Sequence, residues 1–313
     1  MREKIVDVRN QVQKVIVGKE EVVGKVLMSI LASGHILLED VPGVGKTTLT
    51  LAIARTLGLE TKRIQFTSDS VPSDVIGFSI LDRKTDEFVY KPGAVMTNLL
   101  LADEINRTSS KTQSALLEAM EERRVTVDGQ THELPEPFIV LATQNPVGSA
   151  GTQMLPSSQL DRFMIRISMG YPDFESQVNI LQDRAETNPL DEITPILDRS
   201  QILEAMKQVN NVHTSQAVFR YITSLSEATR THPMVSLGVS PSGALSLARM
   251  ARARAFLLGR DYTVPEDVAD VVGDVYVHRL ILGTKARLNE TSGEDIIKEI
   301  LERVKMPVLK ELG

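Results

Sequence analysis

The 313-residue chain carries 35 Lys and Arg against 41 Asp and Glu, a formal net charge of −6, and no cysteine. Disulfides, thiolate metal sites and a cysteine nucleophile are thereby excluded, and the acidic balance, with a pI near 5.5, leaves no bulk basic charge to hold nucleic acid. The length suggests roughly two domains; the charged start Met1–Arg9 does not read as a signal peptide, and no apolar run approaches the about 18 residues of a membrane span, so a soluble, cytoplasmic protein is expected.

In chain order, Ile5, Val8, Val12 and Val15 stand at helical spacing, and residues 20–31 repeat that pattern after a Val17-Gly18-Lys19 turn. Apolar or β-branched runs then recur at His35–Glu39, Arg63–Thr67, Asn98–Ala102, Phe138–Thr143 and Phe163–Ser168, mostly separated by stretches long enough for a helix. The alternation predicts an α/β fold with a parallel five-stranded sheet flanked by helices. Leu99-Leu100-Leu101-Ala102 lacks polar alternation, as a central strand buried on both faces should. From Phe174 onward helical periodicity dominates, with helices predicted near 174–186, 199–211, 215–231, 241–258, 265–282 and 292–305. The expected division is an α/β core over residues 1–187 and an all-helical domain over 188–313, with the Pro-containing stretch Asn188–Pro195 as hinge.

The first chemical signal follows the first strand. In Asp40-Val-Pro42-Gly43-Val44-Gly45-Lys46-Thr47-Thr48, the glycines let backbone N–H groups close around an anion, Lys46 can reach terminal phosphates, and Thr47 offers a hydroxyl to Mg²⁺ at a helix N-terminus. Asp40 stands where the usual phosphate-loop pattern has its first glycine. The second signal, Asp103-Glu104, closes the Leu99–Ala102 strand, and adjacent residues at a strand end point in different directions. Asp103 is assigned to the metal and Glu104 to the attacking water; alone, the pair also fits a helix N-cap with a first-turn acid. The next strand ends in Gln144-Asn145-Pro146, where Asn145 can hold the attacking water or a phosphate oxygen, or serve as a turn residue before proline. All three clusters follow strands, and ligands of open α/β sheets bind beyond the carboxyl ends of strands.

Other residues carry less. The five histidines show no ligand spacing, no Ser-His-Asp order or Ser-Lys dyad stands out, and the basic stretch 248–255 reads as a solvated or interface helix face.

Longer words appear in order: Leu37-Leu-Glu-Asp-Val-Pro-Gly-Val-Gly-Lys-Thr47, Asn98-Leu-Leu-Leu-Ala-Asp-Glu-Ile-Asn-Arg107, Leu116-Leu-Glu-Ala-Met-Glu-Glu-Arg123, Ala142-Thr-Gln-Asn-Pro146, Gln159-Leu-Asp-Arg-Phe163 and Gly259-Arg-Asp-Tyr-Thr-Val-Pro-Glu-Asp-Val268. On these residues the chain resembles the MoxR family of AAA+ ATPases from about Val17 to Leu282. The resemblance implies an AAA+ core with a C-terminal helical lid, ATP with Mg²⁺ at a subunit boundary of a ring, usually a hexamer, and tolerance of Asp at position 40. It implies that Arg162 is an arginine finger entering the neighbouring site, with Arg107 a second candidate for contact across the boundary. It further implies that Val17 and Gly18 line the adenine, that Gly77–Gly93 is an insert in the second helix, and that Arg124–Leu134 is the hairpin before the sensor strand. Where family members commonly carry a sensor arginine after Ser-Pro, this chain has Ser242, with Arg249 a substitute by proximity in sequence. The loop 147–158 lacks the acids often found there. The implied activity is chaperone-like remodelling of a protein client, such as metal insertion or complex maturation, with a separate von Willebrand factor A domain protein as partner. Nucleic-acid translocation and a nucleotide-gated scaffold with weak turnover are the alternatives.

Overall fold

The computed structural model describes residues 1–41, 43–145, 155–186 and 188–308, with the backbone alone over 183–186. Two amphipathic helices, α1 (Arg2–Gln13) and α2 (Glu20–Leu31), precede a strand-helix-strand unit of β1 (Ile36–Glu39), α3 (Lys46–Thr56) and β2 (Thr61–Gln65). The short α4 (Pro72–Ile76) leads into a ribbon of β3 (Gly77–Asp82) and β4 (Glu87–Pro92), then β5 (Leu99–Asp103) and α5 (Ser110–Glu122). A second ribbon, β6 (Arg124–Val127) and β7 (Gln130–Glu133), precedes β8 (Ile139–Gln144), α6 (Ser157–Leu160), β9 (Ile165–Ile167) and α7 (Phe174–Glu186).

The five core strands lie in the order β2-β5-β8-β1-β9, and every pairing is parallel. Burial explains the apolar runs. Leu99 and Leu101, with Ile36, Leu38, Ile139, Leu141, Ile165 and Ile167, pack on one face against α1, α2 and α3. Leu37, Leu100, Ala102, Val140 and Ala142 pack on the other, with Leu116, Leu117 and Met120 of α5. Successive side chains of a strand point to opposite faces, so a strand covered on both sides must be apolar throughout.

Residues 199–303 form a mostly helical lid: α8 (Arg199–Asn210), α9 (Gln216–Arg230), β10 (Val235–Leu237), α10 (Pro241–Leu257), α11 (Pro265–Tyr276), β11 (Ile281–Leu282), α12 (Thr284–Leu288) and α13 (Gly293–Arg303). Its core is continuous with the face carrying α1 and α2, since Ile202, Leu225, Leu247, Met250 and Val271 belong to the same buried cluster. Two details differ from the periodicity. β10 and β11 form a short antiparallel ribbon, and the helix expected over 265–282 ends at Tyr276. There a 3-10 turn, Val277–Arg279, turns His278 and Arg279 into the protein interior, where both are buried. The stretch expected to be a hinge is packed down: Leu190, Ile193 and Leu197 are buried, and Ile196 N–H donates to Thr56 O at 2.9 Å, at the end of α3.

The ribbons keep apolar residues outside. Phe78 is 50% exposed and Phe88 73%. Tyr90 and His132 stack with ring centroids 3.8 Å apart, joining the two ribbons, while Tyr90 Oη donates to Ile76 O at 2.6 Å.

Candidate functional site

The phosphate loop begins where β1 ends. Gly43 and Gly45 have φ of +87° and +97°, a region that costs any side chain strain, so both positions call for glycine. Gly45 caps α3, and the first backbone N–H groups of that helix have no intrahelical partner. Lys46 opens the helix and is buried, its Nζ donating to Asp40 O at 2.8 Å. Burial pulls its pKa down while Asp40, Asp103 and Glu104 push it up, so the acids gather their charge at this ammonium. Val44, Thr47 and Thr48 are half-buried; Pro42 lies outside the described residues.

Asp40 has a structural use. Its carboxylate accepts from Ser168 Oγ at 2.8 Å, from Gly170 N–H at 3.0 Å and from Met169 N–H. A glycine there would take away the acceptor of all three donors, so the departure from the usual loop is a link between β1 and the segment after β9. That segment touches the Val17-Gly18 turn: Lys19 Nζ donates to Tyr171 O at 2.8 Å. A Cβ on Gly18, whose φ is +70°, would come within 2.2 Å of Ser176 Oγ.

Asp103 ends β5 and is buried, Oδ2 accepting from Arg63 Nε at 2.8 Å and Oδ1 from Thr143 Oγ1 at 3.1 Å. Glu104 follows with φ +55°, a left-handed conformation held by donation of its N–H to Thr143 Oγ1 at 2.9 Å. The turn aims its side chain away from that of Asp103. Its carboxylate accepts from Asn145 Nδ2 at 3.1 Å, Gln65 Nε2 at 2.8 Å and Arg107 Nη1 at 2.8 Å. Burial alone would raise its pKa, but hydrogen bonds from Arg107, Asn145 and Gln65 and the charge of Arg107 carry it below the ordinary value. Glu104 is thus ionised and, so held, a weak base.

Lys46, Asp103, Glu104 and Asn145 therefore converge beyond the carboxyl ends of β1, β5 and β8. One carboxylate and the Thr47 hydroxyl, completed by phosphate oxygens, match a cation that keeps several waters and takes few carboxylates. Among the described residues no cluster of three His, Asp or Glu could hold a metal unaided. Arg162 is elsewhere. It lies before β9 at the opposite end of the sheet, where Met164 N–H donates to His35 O at 2.8 Å, and it pairs with Glu121 at 2.9 Å.

Three further residues of the sequence reading can be placed. Arg107, a candidate for contact across a boundary, pairs with Glu104 of its own chain. Arg249 lies away from its own phosphate loop: it is exposed, and its charge acts on Arg123, which donates to Ser33 O and Phe138 O at the amino ends of the strands. Ser242 is also exposed, in the first turn of α10, whose cap residue Ser240 donates Oγ to Asp161 Oδ2 at 2.9 Å. Position 242 thus lies with Arg162, away from its own phosphate loop. Sequence reasoning missed Gln65, Arg63 and Thr143. All three belong to strands of this sheet, so following each strand to its carboxyl end could have found Gln65 and Thr143.

A family model described as "ATPase family associated with various cellular activities (AAA)" matches residues 35–165, and an AAA lid domain model matches 227–300. The chain is 46% identical to the YeaC protein of Bacillus subtilis (strain 168) over 95% of its own length and 93% of that protein's. It is 40% identical to Chaperone MoxR1 of Mycobacterium tuberculosis over 95% and 81%, respectively. A crystal structure from Cytophaga hutchinsonii that carries an ATPase designation superposes with a TM-score of 0.92 at 40% identity, covering 98% of this chain and 96% of that one.

Proposed function

The chain belongs to the MoxR family of AAA+ ATPases, and we propose that it hydrolyses ATP with Mg²⁺ in a ring-shaped oligomer, a hexamer, to remodel or mature protein clients. The observation that carries this is the separation of the site into two half-sites. Lys46, Asp103, Glu104 and Asn145 meet at the carboxyl edge of the sheet, while Arg162 sits at the amino edge, away from its own phosphate loop, which supports a role at another subunit's nucleotide. In our assignment the Gly43–Thr48 loop and Lys46 bind the phosphates, and Val17 and Gly18, beside the segment after β9, line the base. Asp103 and Thr47 would hold Mg²⁺, which neutralises charge on the β- and γ-phosphates when bound. Asn145 positions the attacking water, Glu104 accepts its proton once freed from its present donors, and Arg162 of a neighbouring copy stabilises charge on the transferring phosphoryl group.

The working units of this proposal are a core over 1–187 and a lid over 188–313. The exposed Phe78 and Phe88 on the β3–β4 ribbon support a client of protein rather than nucleic acid, as does the net charge of −6. A separate von Willebrand factor A domain protein as partner, and action in the ATP-supplied cytoplasm, belong to the same proposal. Among the described residues no helix is long and apolar enough to cross a membrane.

Steady-state ATPase measured against protein concentration tests it, because a finger acting in trans makes specific activity rise with assembly. Glu104→Gln should bind ATP normally yet lose turnover by about 10²–10⁴-fold. Concentration-independent activity, or unchanged hydrolysis by Glu104→Gln, would refute the assignment.

A further inference from the structure

A buried arginine of the lid reaches the finger segment. Arg279 lies in the 3-10 turn after α11, its side chain only 2% exposed, and its guanidinium crosses into the core. Nε donates to Asp161 Oδ1 at 2.7 Å. Nη2 donates to Asp161 O at 3.0 Å and to Phe163 O at 2.7 Å, and Nη1 to Met164 O at 3.2 Å. The other Asp161 oxygen is taken by Ser240, at the start of α10. Two separate lid elements therefore grip both carboxylate oxygens of Asp161, and the Arg279 fork also holds backbone carbonyls on each side of Arg162. A planar, multidentate guanidinium fixes orientation as well as distance, which an ammonium in its place could not do. Arg162 is bracketed by atoms that belong to the lid's grip, while its own head, paired with Glu121 among the described residues, is partly exposed and available to another molecule.

We propose that Arg279, through Asp161, is a positioning residue that ties the placement of the Arg162 finger to the placement of its own lid. A shift of the lid in one subunit is then read at the active site of the next. This rests on the assignment of Arg162 as a finger acting in trans, and it gives the lid a route of influence that does not need a charge at position 242.

Mixed assemblies test it with the full chain. Glu104→Gln subunits keep their finger but cannot turn over, and Arg162→Ala subunits keep a working site but have no finger, so neither is active alone. Their mixture should regain ATPase activity. Adding Arg279→Gln to the Glu104→Gln finger donor should cut that recovery by about tenfold or more, with KM for ATP and assembly size unchanged. The same substitution on the Arg162→Ala recipient should leave recovery nearly intact, an asymmetry that a general structural role would not produce. If Arg279→Gln prevents assembly, Ser240→Ala on the donor, which takes only one bond from Asp161, should cut recovery about two- to fivefold. No recovery in the first mixture refutes the finger assignment, and the strut with it. Full recovery with an assembled Arg279→Gln donor, or with the Ser240→Ala donor where that one is used, or equal loss on donor and recipient, refutes the strut alone.

Discussion

The two ends of the central sheet are built on different rules. At the carboxyl end, functional side chains satisfy one another: Glu104 on Asn145, Gln65 and Arg107, Asp103 on Arg63 and Thr143. At the amino end, cations and imidazoles satisfy the backbone: Arg123 on Ser33 O and Phe138 O, Arg279 on Phe163 O and Met164 O, His35 on Met120 O. Side chains paired with side chains in a half-open site can trade partners for a ligand at modest cost. Buried donors matched to backbone carbonyls cannot let go without leaving both groups unsatisfied. One end is therefore suited to chemistry, the other to holding a geometry that the lid shares.

Asp40 is the exception at the carboxyl end, because its carboxylate serves backbone and hydroxyl donors of residues 168–170. Asp40→Gly would restore the usual phosphate-loop residue and remove all three acceptor contacts. Hydrogen bonds to a charged group contribute about 1.5–3 kcal/mol each and are not additive, so a loss of roughly 3–5 kcal/mol is expected. Urea unfolding with and without ATP would measure it. Unchanged stability would mean that the 168–170 segment holds itself, and the distinction between the two ends would sharpen instead of blur.

The sheet was legible because a strand covered on both faces has a one-dimensional signature, and Leu99–Ala102 carried it. The phosphate loop and Asp103-Glu104 were legible because their residues are contiguous. Arg279 was not, since nothing in Val277-His278-Arg279 distinguishes an arginine buried against a loop 118 residues away from a charged last turn of helix. Gln65 was invisible for a related reason. It ends a strand whose neighbour in the sheet, β5, comes more than thirty residues later in the chain, and only the register puts it beside Glu104. Ser242 was legible as a departure, but sequence could not say which edge of the sheet it occupies.

The amino end can be broken with acid. His35 accepts the Val140 N–H on Nδ1 at 2.9 Å and donates Nε2 to Met120 O at 3.2 Å, a neutral tautomer with no room for a second ring proton. Burial first, then the charge of Arg123, lowers its pKa from 6.5 to about 3. The unfolded chain then binds the proton that the folded one refuses. Stability from this group is complete above the unfolded pKa and is lost as pH falls from about 6.5 toward 3. Between pH 6.5 and 4.5 the loss should reach about 2–3 kcal/mol, to which His278, also shifted down by burial, adds with the same sign. Urea midpoints at the two pH values give the slope, and His35→Gln should flatten it. An equal slope in that variant would show the acid sensitivity to lie elsewhere.

The smallest expected effect lies at the carboxyl end and runs in the opposite direction. Gln65 Nε2 donates to Glu104 Oε2, the oxygen that Arg107 also holds. These bonds keep Glu104 ionised and feebly basic, and they occupy the lone pairs that an attacking water needs. Removing one of three donors should let the carboxylate rise in basicity and move more freely, so Gln65→Ala should increase basal ATPase about two- to fivefold, the equivalent of one ordinary hydrogen bond. Asn145→Ala also frees Glu104 but takes away the amide assigned to the water, and should lower turnover. If both variants slow hydrolysis, Gln65 aids the reacting geometry as Asn145 does, and the carboxyl end is already arranged for chemistry before nucleotide arrives. If only Asn145→Ala does, the site rests with Glu104 held back, and nucleotide or a neighbouring subunit must release it.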